Sequence, residues 1–155
     1  WLSKIAIGKT IFLAIMWVYV TVSLPVLIEG ARWTNEIIIF TMAQFFFILS
    51  VSILFDVRDR EHDKAEHIIT LITYLSEKNI DRLFYFSVTF FSILYLYLIT
   101  TGIPWSNILL LLLPALVLIG IYSYAKKNYS DYLYYFLLDG LLMFPGLILW
   151  LMNRF

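Results

Sequence analysis

Residues 83–125 contain no charged side chain, a run too long for any single helix of ordinary size. A hydrocarbon layer of about 30 Å is crossed by about 20 apolar helical residues, each adding about 1.5 Å along the axis. The run therefore reads as two membrane spans, divided at Thr101-Gly-Ile-Pro-Trp-Ser-Asn107, a turn signal built around glycine and proline. Three further segments have the same character. Residues 5–28 carry Lys9 near the start and Pro25 near the end, residues 37–55 carry no charge, and residues 132–152 are interrupted by a single acid, Asp139. Of the 155 residues, 62% are hydrophobic and 14% charged, which is the balance of an integral membrane protein. The expected fold is all-α: one polytopic transmembrane bundle of about five spans over residues 1–155, with residues 64–81 forming a short amphipathic helix on the membrane surface.

Basic and acidic residues number 11 each, and no tract rich in Lys and Arg offers a surface to nucleic acid, so the lipid bilayer is the expected partner and nucleic acid is not. Cysteine is absent, which excludes disulfides and thiolate chemistry. The first residue is Trp1, with neither a basic leader nor a cleavage site ahead of the apolar run, so the chain is expected to be a piece of a longer one. Counting spans places Lys4, Lys9, Arg58, Arg60, Lys64, Lys78, Arg82, Lys126 and Lys127 on one side and only Arg32 and Arg154 on the other. Lys and Arg collect in cytoplasmic loops, which makes the first side cytoplasmic.

On that side the second span runs into Asp56-Val-Arg-Asp59-Arg-Glu-His-Asp63-Lys64. If the helix continues at about 100° per residue, Asp56, Asp59 and Asp63 share a stripe roughly 60° wide. Like charges so placed repel unless a cation lies among them, and Mg²⁺ suits the position because it usually takes one or two carboxylates together with phosphate oxygens. The competing expectation is a solvated loop whose acids pair with Arg58, Arg60 and Lys64, contributing about 0 to 1 kcal/mol per pair. Zinc held by His62 and His67 is disfavoured, since a spacing of five does not bring two imidazoles to one helix face.

The segment Phe55-Asp-Val-Arg-Asp-Arg-Glu-His-Asp-Lys64, followed by Thr70-Leu71, resembles the second aspartate-rich motif of the UbiA-type membrane prenyltransferases. Five spans around the motif are similar to the C-terminal half of that nine-span fold, and Asp131-Tyr-Leu-Tyr-Tyr-Phe-Leu-Leu-Asp-Gly140 is similar to the last-helix region of UbiA-like proteins of Bacteroidetes-type bacteria. The resemblance implies an enzyme of the bacterial inner membrane that moves an isoprenoid group from a prenyl diphosphate donor to an acceptor, with Mg²⁺ as cofactor. It makes Asp59 and Asp63 the paired catalytic acids, Asp56 an additional metal ligand, and Arg58, Lys64 and Asp139 further contacts to the bound groups. The acceptor stays open among quinone precursors, porphyrins and lipid-linked sugars. Two departures stand out. His67 and Ile68 occupy positions where many members have a glycine and a basic residue, and no Asn-Asp-x-x-Asp-like first motif is present, so the partner implied is a missing N-terminal half without which this chain is inactive. A non-catalytic UbiA-like protein and a transporter fragment are the alternatives.

Inside the spans, Asp139 is costly in hydrocarbon and is expected either to face a cavity, sharing a helical face with Tyr132, Tyr135 and Gly146, or to bond to a neighbouring helix. Gln44 is expected to join two helices, while Pro114 and Pro145 are expected to bend theirs. The 13 Phe and 11 Tyr are assigned chiefly to packing and lipid contact.

Overall fold

The computed structural model describes residues 8–130 and 132–152; Lys4, Asp131, Arg154 and the first residues of the first expected span lie outside that range. The described residues form helices and connecting turns without strands: α1 (Lys9–Ile28), α2 (Asn35–Ala65), α3 (Leu71–Tyr74), α4 (Glu77–Thr101), α5 (Trp105–Ala125), and α6, which comprises Tyr132–Leu138 and Asp139–Met152. The first two and α4 and α5 are long and apolar enough to cross a membrane, and α6 supplies a shorter apolar helix over Tyr132–Ile148. Their length and composition make this an integral membrane protein, with four to five spans where five were expected.

Helix α2 organises the rest. Thr34 caps its start by accepting from the Ile37 amide at 3.4 Å, and Glu36 places a negative charge in the first turn. Its 31 residues reach about 46 Å at the usual rise, well beyond a hydrocarbon layer of about 30 Å. The apolar part ends near Phe55, so the last turns continue past it without a break. Ala43, Phe47, Val51, Ile53 and Leu54 are buried, and α2 packs most extensively on α4 and then on α1. Phe47 stacks on Phe91, with centroids 5.2 Å apart, and Gln44 donates to the Tyr95 hydroxyl at 2.7 Å, the expected bond between two helices. Both Pro114 and Pro145 lie inside helices that continue through them. Large apolar side chains stand exposed along α1 and α6, including Phe12, Trp17, Phe136 and Met143, as suits surfaces that meet lipid.

Two stretches wind more widely, with π-type turns: Tyr19–Ser23 in α1, directly before Pro25, and Tyr132–Leu138 in α6. Proline lacks an amide hydrogen and crowds the preceding turn, which accounts for the first of them. The second changes the register that a period of 3.6 would have carried from Tyr132 to Gly146.

Residues 64–81 do not form the single surface helix expected of them. The chain leaves α2 through a left-handed residue, His67 (φ 58°), with the Ile68 amide bonded to the Asp63 carbonyl at 2.8 Å and the His67 amide to that of Lys64 at 3.2 Å. α1 ends in the same way at Gly30 (φ 62°), where the Ala31 and Gly30 amides bond to Val26 and Leu27. Only one helical turn follows, Leu71–Tyr74, capped reciprocally by Thr70 and Thr73, and Glu77 already begins α4. A Cβ in the left-handed region costs about 1 kcal/mol. His67→Gly should therefore raise the unfolding free energy in micelles by about that amount and His67→Val should lower it, as read from helical circular dichroism during denaturation. Indifference to both changes would show that the turn does not persist.

Candidate functional site

The acidic cluster occupies the last three turns of α2, at the end of the bundle where α1 begins, α4 begins and α5 ends. Asp56 and Asp63, seven residues apart, are both buried, whereas the Asp59 side chain is 42% exposed on the flank between them. The helix does continue through the cluster, yet the three carboxylates are not presented alike. Thr10 of α1 donates its hydroxyl to Asp56. Arg58 Nε donates to Asp59 at 2.8 Å, while its guanidinium lies over the rings of Phe55, Tyr134 and Tyr135 at 4.9 to 5.3 Å. Lys64 is turned away, paired with Glu61 at 2.8 Å, and His62 lies 3.2 Å from Glu66. Asp63 is bonded to no side chain or amide through its carboxylate among the described residues.

Of the charged-loop pairs weighed from sequence, Arg58–Asp59 and Lys64–Glu61 are present, whereas Arg60 reaches Glu77 of α4 instead. No group of three or more His, Asp or Glu side chains is gathered as a ready metal site among the described residues. The donor set nevertheless fits a hydrated Mg²⁺: the oxygens are hard, and such an ion needs one or two carboxylates if phosphate supplies others. Asp63, mostly buried but with a solvent-reached carboxylate that bonds to no side chain or amide among the described residues, is the carboxylate best placed to serve, with Asp59 beside it on the exposed flank.

A second charged group ties this end together. Arg60 donates to Glu77 of α4 and, at 3.0 Å, to the Leu75 carbonyl. Lys126, at the end of α5, reaches Glu77 at 3.2 Å and Asp81 at 2.7 Å, and the Tyr122 hydroxyl donates to Asp81 at 2.5 Å. Tyr122 also stacks on Phe84, with centroids 3.9 Å apart. Glu77 lies outside the apolar stretch that begins at Leu83, and Lys126, aided by Arg60, holds its carboxyl below the usual glutamate range against the opposing effect of burial.

Asp139 lies apart from the cluster. It lines a cavity of about 510 Å³ between α1, α2 and α6, together with Trp17, Phe40, Gln44 and Gly146. Asp56, Asp59 and Asp63 do not line it. Asp139 and Gly146 do share this face as expected, but Tyr132 and Tyr135 do not: after the wide turns of α6, Tyr135 lies against Arg58 and Tyr132 stacks on Phe136. Sequence reasoning missed Thr10, Tyr134, Asp81 and Tyr122, and placed Tyr135 on the wrong face. Only Thr10 carried a signal, as a hydroxyl next to Lys9 at the edge of a span.

Compared with protein-family models, with curated proteins and with solved structures, the chain matches none. Its candidate site rests on its own residues.

Removing the donor to a buried carboxylate leaves that group's desolvation uncompensated, a loss of about 1 to 3 kcal/mol. Thr10→Val should lower stability by that amount and Thr10→Ser should restore most of it, measured by reversible unfolding in mixed micelles. Equal stability of the three proteins would place Asp56 in water.

Proposed function

We propose that this chain forms part of an integral-membrane, Mg²⁺-dependent prenyltransferase, one that transfers an isoprenoid group from a prenyl diphosphate to an acceptor. The observation that carries the proposal is Asp63: a residue mostly buried at the end of a long apolar helix, whose carboxylate still reaches solvent and makes no hydrogen bond among the described residues, one turn from Asp59. An anion so placed is stabilised when a cation shared with a phosphate-bearing lipid completes it. Support also comes from the motif that Asp56, Asp59 and Asp63 make with Arg58 and Lys64, which resembles the second aspartate-rich motif of the UbiA-type enzymes. The basic residues of this end, Lys9, Arg58, Arg60 and Lys126 among them, favour a cytoplasmic placement in a bacterial inner membrane.

In this scheme Asp63 and Asp59 would hold the metal, and Asp56, fixed by Thr10, adds negative charge behind them. When bound there, Mg²⁺ would supply electrostatic stabilisation of a departing diphosphate. The allylic carbon–oxygen bond breaks, the diphosphate leaves with the electron pair, and the acceptor forms the new bond while giving up a proton. Arg58 is positioned by three rings and tethered to Asp59, so its guanidinium lies at the edge of the site without wandering. Its planar fork suits phosphate oxygens. The prenyl tail takes hydrocarbon-like space between helices.

In the complete protein, Asp59→Ala and Asp63→Ala should each reduce Mg²⁺-dependent prenyl transfer by at least a hundredfold, about 2.7 kcal/mol of transition-state stabilisation, while membrane insertion is unchanged. Turnover is read with a radiolabelled prenyl diphosphate against a panel of quinone precursors. Undiminished transfer in both variants would overturn the proposal.

A further inference from the structure

We propose that the cavity between α1, α2 and α6 binds a lipophilic cation, an ammonium group carried on a compact apolar body. This site is separate from the acidic cluster and does not depend on the transferase assignment. Its volume, about 510 Å³, falls in the range of small-molecule sites. The walls are mainly apolar, with Trp17 and Phe40 as aromatic faces.

The polar groups among them are mostly acceptors, with the Trp17 indole N–H and the second Gln44 amide hydrogen as the neutral donors. Asp139 brings a carboxylate with no hydrogen bond or ion pair among the described residues. Gln44 spends an amide hydrogen on Tyr95, which leaves its carbonyl oxygen as an acceptor. Thr21 gives its hydroxyl hydrogen to the Trp17 carbonyl at 2.8 Å, so its oxygen too can only accept. Among the described residues no Lys, Arg or His lines the space. A cavity that holds an acid and no cationic side chain among those residues is matched by a ligand that brings the positive charge.

Depth makes the charge matter. Asp139 stands exposed at the opening of the cavity, seven residues into α6 and somewhat less than about 10 Å along its axis because the wide turns rise less per residue than an α-helix, and Gln44 is buried, eleven residues from Phe55, about 16 Å along α2. At such depth an acid without a counter-ion is expensive, and acids in membrane spans recur as ligand counter-ions. Aromatic faces add cation–π attraction for an ammonium, which they withhold from a neutral isostere. The backbone provides the room. The wide turns at Tyr19–Ser23 carry Thr21 and Val22 to the cavity, and those at Tyr132–Leu138 end directly at Asp139.

The test compares two molecules of one shape. The intact protein, purified in a nonionic detergent, is titrated calorimetrically at neutral pH with 1-adamantylammonium and with 1-adamantanol, against protein-free micelles as the blank. The ammonium should bind at least tenfold more tightly than the alcohol. Asp139→Asn should abolish that preference. In Gly146→Leu, where an added side chain meets open space and fills the cavity, both ligands should lose binding while helical circular dichroism is unchanged. Absence of ammonium binding, equal affinity for the two ligands, a preference that survives Asp139→Asn, or ammonium binding that survives Gly146→Leu would each overturn the proposal.

Discussion

Thirty-one residues of uninterrupted helix reach about 46 Å while hydrocarbon extends about 30 Å, so α2 must carry its final turns out of the apolar layer with every backbone amide still paired. That constraint sets the character of the charged end. A chain that unwound at Phe55 would scatter Asp56, Asp59 and Asp63 over a loop, whereas a rigid extension holds them at fixed angles against α1 and α4. Asp56 and Asp63 then face protein and Asp59 faces outward, which is how a single helix comes to offer three acids in three different surroundings.

The two ends of the bundle are fastened by different physics. Away from the cluster the helices meet through aromatic and aliphatic packing, with Phe47 stacked on Phe91 and Phe91 meeting Tyr95 edge to face beside the Gln44 bond. At the charged end, Arg60, Glu77, Lys126, Asp81 and Tyr122 join α2, α4 and α5 through half-exposed ion pairs. One such pair alone is worth little, but a shared cation between two acids, backed by a stacked tyrosine, fixes where α4 and α5 stand relative to the cluster. The Arg58 ring nest does the same for α6. Asp56, Asp59 and Asp63 are thus held in place by contacts from α1 and from within α2, while the surrounding helices are held by a separate set of charges.

The apolar runs made the helices legible, since length and hydropathy are local properties, and the Gly102-Ile-Pro104 turn was legible for the same reason. The continuation of α2 through Asp63 entered the sequence reading only as a condition, which the helix meets. What escaped was long-range or sub-helical. Thr10 lies 46 residues from Asp56, and a hydroxyl at the edge of a span does not announce which acid it will bond. Lys126 was counted for its sign, and its choice of Glu77 and Asp81 depends on how α4 and α5 pack. Residues 64–81 carried an amphipathic pattern, but a left-handed His67 and a reciprocal Thr70–Thr73 cap divided it into turns. Of the two readings left open for Asp139, the structure shows the one that faces a cavity, while its companions Tyr132 and Tyr135 were displaced because π-type winding breaks the period on which that grouping relied.

The central claim is that α2 stays helical from the apolar layer through its acidic turns, with one side held against the bundle. The chain has no cysteine, so single cysteines introduced from position 50 to position 66 can each carry one nitroxide label. Electron paramagnetic resonance in bilayers, with a water-soluble relaxation agent, then reads accessibility residue by residue. A periodicity of about 3.6 that persists to Ala65, with minima at positions 56 and 63 and high accessibility at 59, is the predicted result. Uniform water exposure beginning at Asp56 would contradict it, because the acids would then stand on a solvated loop.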